Sequence, residues 1–596
     1  MAKKTKKTTN LLIGSNTTEI ATAPYNFIPL PLRAIPSPLN DLVDGTVTTQ
    51  EDVKDFYKAY LEDTETHTGR IDLTITTKTP CFIGGTGENF FAPVNPGRPL
   101  IPGSSLRGMI KNILKIVTCG TMRCEGDVEE DFHNRFLYYR SMAATGKLQS
   151  FKESYTNELQ ITSGTEGGKP VSYSGAHAGF LVSKGNDYYI CHAKSNDRLL
   201  LKGSYTPNYV EWHEEDGSCD CYTGTMSSKK HYDVITGGEW DNPLLVDAKV
   251  IQSYRDDIQR GNANGDSERD NGYNLLANAK TGDFAQRFTE GNYDTVVPCF
   301  YMPDNKGGVK HFGFGRFYRI PYQKDIQDHV PAAVQDATIT DFADAIFGKK
   351  EYFASRVFFD DALLDGDLKV EPESNYSHPL LSPKPTSFQL YLEQNGTTAS
   401  KHWNIDAPIR GYKLYWHNKE TPLHWKIAAD EKIIKGMQKI RPIRVNTTFR
   451  GSIRFENLSD IELGALLKTL HLETEDNEIY YKIGQGKSIG LGSIKIESNL
   501  VLIDNAEEIK TVFTAEGWHT GEAPTDVDTY IKTFDNYMEE QMNDAEKKKY
   551  ADILKKLIYM LDFKKKRAPS AIRTMKIDDE DKPFAKRWVL PPADEV

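Results

Sequence analysis

The chain is short of cysteine, of long apolar runs and of positive charge, and each shortage closes off a class of protein. Seven cysteines in 596 residues are too few for a disulfide scaffold, which points to an intracellular, reducing and cytoplasmic setting. No apolar stretch approaches the roughly 20 residues that cross a bilayer, so no membrane partner is expected. The start, MAKKTKKTT, is basic but is followed only by the apolar patch Leu11, Leu12 and Ile13, far short of a secretory leader. A formal net charge of −11 excludes attraction to nucleic acid over the whole surface, because phosphate binding needs a positive field. Any such contact must be local. What is present, 38% hydrophobic and 26% charged residues, suits a globular chain with room for two or more compact units.

Acid is also missing locally. No carboxylate lies between Arg98 and Lys115, or between Lys432 and Arg454. The first stretch, PLIPGSSLRGMIKNILKIV from Pro99 to Val117, places Leu106, Met109, Ile110, Ile113, Leu114 and Val117 at three- and four-residue intervals. That spacing predicts a helix over 104–117 with an apolar stripe against a core. Arg107, Lys111 and Lys115 fall four apart on one face, and Ser104 or Ser105 can cap the first turn. The N–H groups there and the positive end of the helix suit an anion such as a phosphate, although a solvated basic face would read the same way. The second stretch carries Lys432, Lys435, Lys439, Arg441, Arg444, Arg450 and Arg454.

Residues 1–67 read as an extended arm, because the prolines of PYNFIPLPLRAIPSPL forbid a regular helix or central strand. In residues 68–118 a strand with Ile71, Leu73 and Ile75 alternating inward precedes a glycine- and proline-rich loop and the helix above. Residues 336–500 repeat the vocabulary: a strand ending near Phe455, a helix capped by Ser459, then YYKIGQGKSIGLGSIKIES, a glycine loop running into a strand. This order predicts an α+β, ferredoxin-like core of the RNA-recognition-motif type. Residues 119–335 exceed its needs and read as a large, mostly β insertion, with a hairpin in AGFLVSKGNDYYICHAK and a polar, mobile stretch over 253–274. Residues 501–596 read as a C-terminal helical extension, with KKK at 547–549, and a basic tail containing KKKR at 564–567.

Several motifs carry candidate chemistry. GQGKSIGLG, with Gly484, Gly486, Lys487 and Ser488, is not a nucleotide-binding loop: Tyr481 stands where a Walker loop needs glycine, and a strand follows where a helix should. It offers instead a flexible run of backbone N–H groups and one cation to a sugar-phosphate chain, or a plain turn. KHFGFGRFY, Lys310 to Tyr318, nearly spells an RNA-stacking consensus through Phe312, Phe314 and Phe317, with Arg316 and Arg319 as phosphate partners; aromatic alternation in a packed sheet reads the same way. Cys119 and Cys124, with His133 nearby, and Cys219 with Cys221 are weak candidates for a structural zinc, their C-x4-C spacing departing from the tight knuckle. No other cofactor is expected.

Taken together, IDLTITT leading to FIGG, IPGSSLRGMIKNIL, IFGKKEYFASRVFFDDALL at 346–364, and FENLSDIELGALL with GQGKSIGLGSIKIE resemble the RAMP superfamily. Within it they resemble the Cas-seven-like backbone subunits of type III CRISPR effectors, in an insertion-bearing form plausible for subtype III-D. The resemblance implies an antiviral ribonucleoprotein whose partners are guide (crRNA) and target RNA and other effector subunits. It implies RNA contacts through Ser104, Ser105, Arg107 and Lys111, with the glycine loop nearby and Arg441 and Arg444 at the base of a thumb-like region over about 365–445. Cleaving members carry an aspartate where this chain has Phe91, which implies a binding subunit without its own cutting site. Glu88, a weak substitute, and Asp360 or Asp361 keep open the alternative of a metal-dependent RNA endonuclease. Tyr480 and Tyr481 keep open a guide-processing nuclease.

Overall fold

The computed structural model describes residues 19–596 apart from 41–49, 85–86, 93–97, 124–136, 142–148, 167, 201–207, 224–230, 257–272, 350–351, 353, 381–385, 397–400, 419–424, 429, 435, 504–512, 515–516, 519–521, 566 and 577–578. The elements that build the core are β1 (Tyr25–Ile28), β2 (Thr66–Thr77), β3 (Leu100–Ile101), α1 (Gly103–Val117), α2 (Phe342–Phe347), β4 (Val357–Phe359), β5 (Ala362–Asp365), β6 (Tyr412–Tyr415), β7 (Thr448–Ser459), α3 (Asp460–Leu470), β8 (Tyr481–Lys482), β9 (Ser493–Ile503), α4 (Asp528–Gln541) and α5 (Asp544–Leu561).

One antiparallel sheet runs β8-β9-β2-β7-β5-β3, with β4 also paired to β7. Chain order and sheet order are therefore interleaved: β9, the last long strand, lies beside β2, the first, and β7 beside β2 on its other side. Ile71 sits between Ile453 and Leu500, and Ile75 between Phe449 and Ile496, so period-two alternation sends one apolar row from each strand to the same side. Leu106, Ile110, Ile113 and Leu114 of α1 and Leu463, Leu466, Leu467 and Leu470 of α3 close that side in one hydrophobic core. Ser459 caps α3 in a reciprocal box with Glu462. The helix α4 approaches α3 so closely that a Cβ on Gly464 would stand 2.1 Å from the Tyr530 carbonyl oxygen.

Glu462 is fully buried and ion-paired with Arg356, whose guanidinium also donates to the Ala345 carbonyl at 2.8 Å, while Tyr60 donates to Glu462 at 2.8 Å. Tyr60 belongs to a helix, Gln50–Asp63, so the expected arm is not extended throughout. The prolines end at Pro38, and QEDVKDFYKAYLED has neither proline nor glycine to break a helix; its Phe56 and Tyr60, four apart, pack beside Leu39 and Ala345.

The chain between the two halves of the core builds a nine-stranded sheet in the order 280–281, 295–303, 177–184, 187–200, 231–238, 218–222 and 209–213, with 244–246 and 309–313 added at its flanks. The expected hairpin is present, Lys184 opposite Asp187 across Gly185 and Asn186. A second hydrophobic core beneath this sheet also draws in Phe388, Leu392, Trp403 and Val589, residues far downstream. Of the polar stretch 253–274, residues 257–272 lie outside the described part; Tyr254 is buried in a third core and Tyr273 packs against it.

Candidate nucleic-acid interface

The helix α1 begins at Gly103, with Pro102 as its N-cap and no side-chain cap. Ser104 and Ser105 therefore sit inside the first turn and do not cap it, against expectation. The anion at this helix end is internal: Asp361 Oδ1 accepts the Gly103 N–H at 2.8 Å. The Pro-Gly pair serves close packing, since a Cβ on Gly103 would stand 2.1 Å from the Phe359 carbonyl oxygen. At 100° per residue the exposed residues Ser104, Gly108 and Asn112 form a strip along the helix.

A groove of about 440 Å³ opens on one flank of that strip. Ser104, Ser105 and Asn112 form one wall, Lys413 and Tyr415 of β6 another, and Lys482, Gly484 and Lys487 the third. Among the described residues its lining holds three lysines and no carboxylate. Burial away from water pushes the Lys482 ammonium down to about 7 and Lys413 to about 8, and lowers Lys487 as well. Lys482 still donates to the Leu491 carbonyl at 2.9 Å, and Lys413 lies 3.8 Å from the Tyr25 ring centre. Desolvated cations facing one cleft, with no counter-charge among its described lining residues, make it a receptor for anions.

The glycine loop is tighter than expected. Gly484, Gly486, Gly490 and Gly492 all have positive φ, and a Cβ on Gly484 would meet the Phe82 carbonyl oxygen at 2.3 Å. The expected run of available N–H groups is largely consumed: Gln485 donates to Phe82, Leu491 to Gly486 and Gly492 to Pro80. What the loop presents is Lys487, at the start of a short 3-10 turn over Lys487–Ile489. Ser488 shares that turn, and Gly486 packs on Leu491.

The remaining expected contacts are dispersed. Arg107 donates to the Phe347 carbonyl at 2.9 Å and Lys111 stands over the Phe347 ring, so both occupy the opposite flank of α1 from Lys487. The run from Lys432 to Arg454 is acid-free only in sequence. Lys439 pairs with Glu88, Arg444 with Glu371, Arg450 with Asp365 and Arg454 with Asp360, while Arg441 donates to the Glu371 carbonyl at 2.8 Å. Lys435 lies outside the described residues. Four polar groove residues went unmarked in the sequence: Asn112, Lys413, Tyr415 and Lys482. Lys482 had a usable signal, standing two residues before Gly484; Lys413 had none, because β6 is placed by pairing with β1.

Glu88 accepts from Ser374 at 2.5 Å and pairs with Lys439 at 3.1 Å, partners that hold its carboxyl below the usual range. Asp360 accepts from Ser452 at 2.5 Å, and Asp361 caps α1. Phe91 packs against the first core. Tyr481 is buried, donating to the Thr469 carbonyl, and Tyr480 donates to Glu478. Of the stacking triplet, Phe312 is buried on Tyr254, Phe314 stacks on Tyr273 and Phe317 is half-buried. Arg316 is paired with Asp233 and Arg319 donates to the Tyr138 carbonyl. Cys119 is packed in the first core, and Cys219 and Cys221 in the second, so they do not converge; Cys124 and His133 lie outside the described residues. Arg567, expected in a basic coil, is instead buried against Trp416.

Among the described residues no helix is long and apolar enough to cross a membrane. No curated protein matches the chain. Residues 74–178 and 266–495 match the RAMP superfamily, together more than half of the sequence, and they contain α1, β6 and the glycine loop. The chain belongs to the RAMP superfamily.

Proposed function

We propose that this protein is an RNA-binding backbone subunit of a type III CRISPR ribonucleoprotein, of the Cas-seven-like kind and of subtype III-D, that holds the guide RNA in the groove between α1, β6 and the glycine loop. The observation that carries the reading is the convergence of Lys413, Lys482 and Lys487 on a cleft walled by Ser104, Ser105 and Asn112, with no carboxylate among its described lining residues. Ammonium groups and hydroxyls grip phosphate and ribose without reading bases, as a subunit that carries any guide requires. The interleaved sheet with α1 and α3 on one side supports a ferredoxin-like core. Residues 365–445 act as the thumb, closed at its base by pairing of Asn375–Tyr376 with Lys439–Ile440, and residues 119–335 are an insertion domain.

Cleavage in this subunit is not part of the proposal. Phe91 stands where cleaving relatives carry an aspartate, and Glu88, Asp360 and Asp361 are each held by hydrogen bonds within the chain. The test is purification from the host under low salt with sequencing of bound small RNA, followed by incubation of the complex with complementary RNA and Mg²⁺. Bound guide-length RNA supports the proposal. Absence of RNA refutes it, and a cut product lost with Glu88→Ala would restore the endonuclease reading.

A further inference from the structure

Three tyrosines stand in one row on the inserted sheet. Tyr222 lies opposite Tyr209 on one neighbouring strand and stacks on Tyr232 on the other. The ring centres are 4.4 and 4.8 Å apart, and both pairs lie within 11° of parallel. Leu199, opposite Tyr232, extends the row and is 44% exposed. Two residues along the strands, a second row runs Glu211, Asp220, Val234 and Asp197. A third runs His213, Ser218, Thr236 and Ser195. Alternation sends Val210, Trp212, Cys219, Cys221 and Ile235 into the core on the other side, which leaves the tyrosine row and the row from Glu211 to Asp197 facing outward.

An aromatic row on a sheet suggests a platform for nucleic-acid bases, but such platforms run beside a cationic track for the phosphates. Here the adjoining row is acidic. The three rows contain no lysine or arginine, Glu211 and Asp197 are exposed, and between Lys202 and Lys229 the sequence has five acids and no lysine or arginine. Asp220 is engaged by the Tyr222 hydroxyl at 3.3 Å and by His213 at 3.6 Å, which fixes it beside the rings. Tyr222 is stacked on both faces, so the row offers a cation the outer face of Tyr209, which lies on the edge strand of the sheet, and a carboxylate alongside completes the recognition of a guanidinium or ammonium.

We propose that this tyrosine-and-carboxylate face docks a lysine- or arginine-rich segment of a partner protein. The full-length chain is titrated with a fluorescein-labelled peptide of alternating arginine and threonine, and separately with labelled oligouridylate. The peptide is expected to bind, and Tyr222→Leu and Glu211→Lys are each expected to weaken it about tenfold, with unchanged binding for Glu475→Lys, an exposed acid on another part of the chain. Glu211 is exposed, so its variant carries the test should Tyr222→Leu unfold. Failure of the peptide to bind, an equal loss with Glu475→Lys, or a loss of oligouridylate binding alone in Tyr222→Leu would overturn the proposal.

Discussion

At the scale of single residues, the groove rests on three ammonium groups that folding has partly stripped of water. Replacing Lys487 or Lys413 with alanine is expected to weaken RNA binding about equally for all sequences and to lower the salt slope by about one. Fluorescence anisotropy across a salt series reads both. Arg107→Ala, on the other flank of α1, should have the smaller effect; a larger one would move the RNA path to that flank. The same groups set a pH dependence. Lys482 and Lys413 are held at about 7 and about 8 in the fold, against 10.5 ordinarily, so between these values the unfolded chain binds more protons and stability of the RNA-free protein rises with pH. A bound phosphate reverses the shift and draws protons in. RNA affinity therefore falls as pH climbs through that window, by up to about tenfold per pH unit for each proton taken up. Calorimetry in two buffers of different ionisation enthalpy measures the uptake, and an affinity independent of pH would remove these lysines from the contact.

At the scale of elements, what could be read from the sequence follows how far apart the partners lie in the chain. The helix of 104–117 and the cap of α3 were legible because period and capping box are local patterns: Ser459 and Glu462 are three residues apart. The cap of α1 was not, because Asp361 comes from 258 residues away and serines in the right neighbourhood imitated it. The same distance hid the fate of the acid-free stretch, whose cations meet Glu88, Asp360, Asp365 and Glu371 only once the sheet forms. It also hid the aromatics of KHFGFGRFY, whose alternation suits a buried strand as well as a stacking face. The corrected cap is testable. Asp361→Ala should cost about 1 kcal/mol of stability, read by thermal unfolding, whereas Gly103→Ala, with its Cβ driven toward the Phe359 carbonyl, should cost more. Equal stability of the Asp361 variant and the wild type would return the cap to the serines.

At the scale of the whole molecule, the groove depends on a clasp at the far ends of the chain. Lys413 is placed by β6, β6 by its ladder with β1, and β1 by the C-terminal segment. Ala21 donates to the Val589 carbonyl at 2.9 Å, and Asn26 and Arg410 both donate to that of Pro591, at 3.0 and 3.1 Å. Leu590 packs with Ala21 and Phe27, and the segment is anchored to α5 through the ion pair of Lys555 with Asp594. Removing residues 587–596 should therefore free β1 and release Lys413 from the Tyr25 ring while leaving the sheet and its α1 and α3 cover folded. RNA affinity is expected to drop about as far as in Lys413→Ala, and combining the two changes should add little, because both act through one contact. Anisotropy gives the affinities, and hydrogen exchange in β1 against β2 shows whether the loss is local. Wild-type affinity in the truncated protein would mean that the groove stands without its clasp, and a fully additive double variant would mean that the C-terminal segment contributes through some other contact.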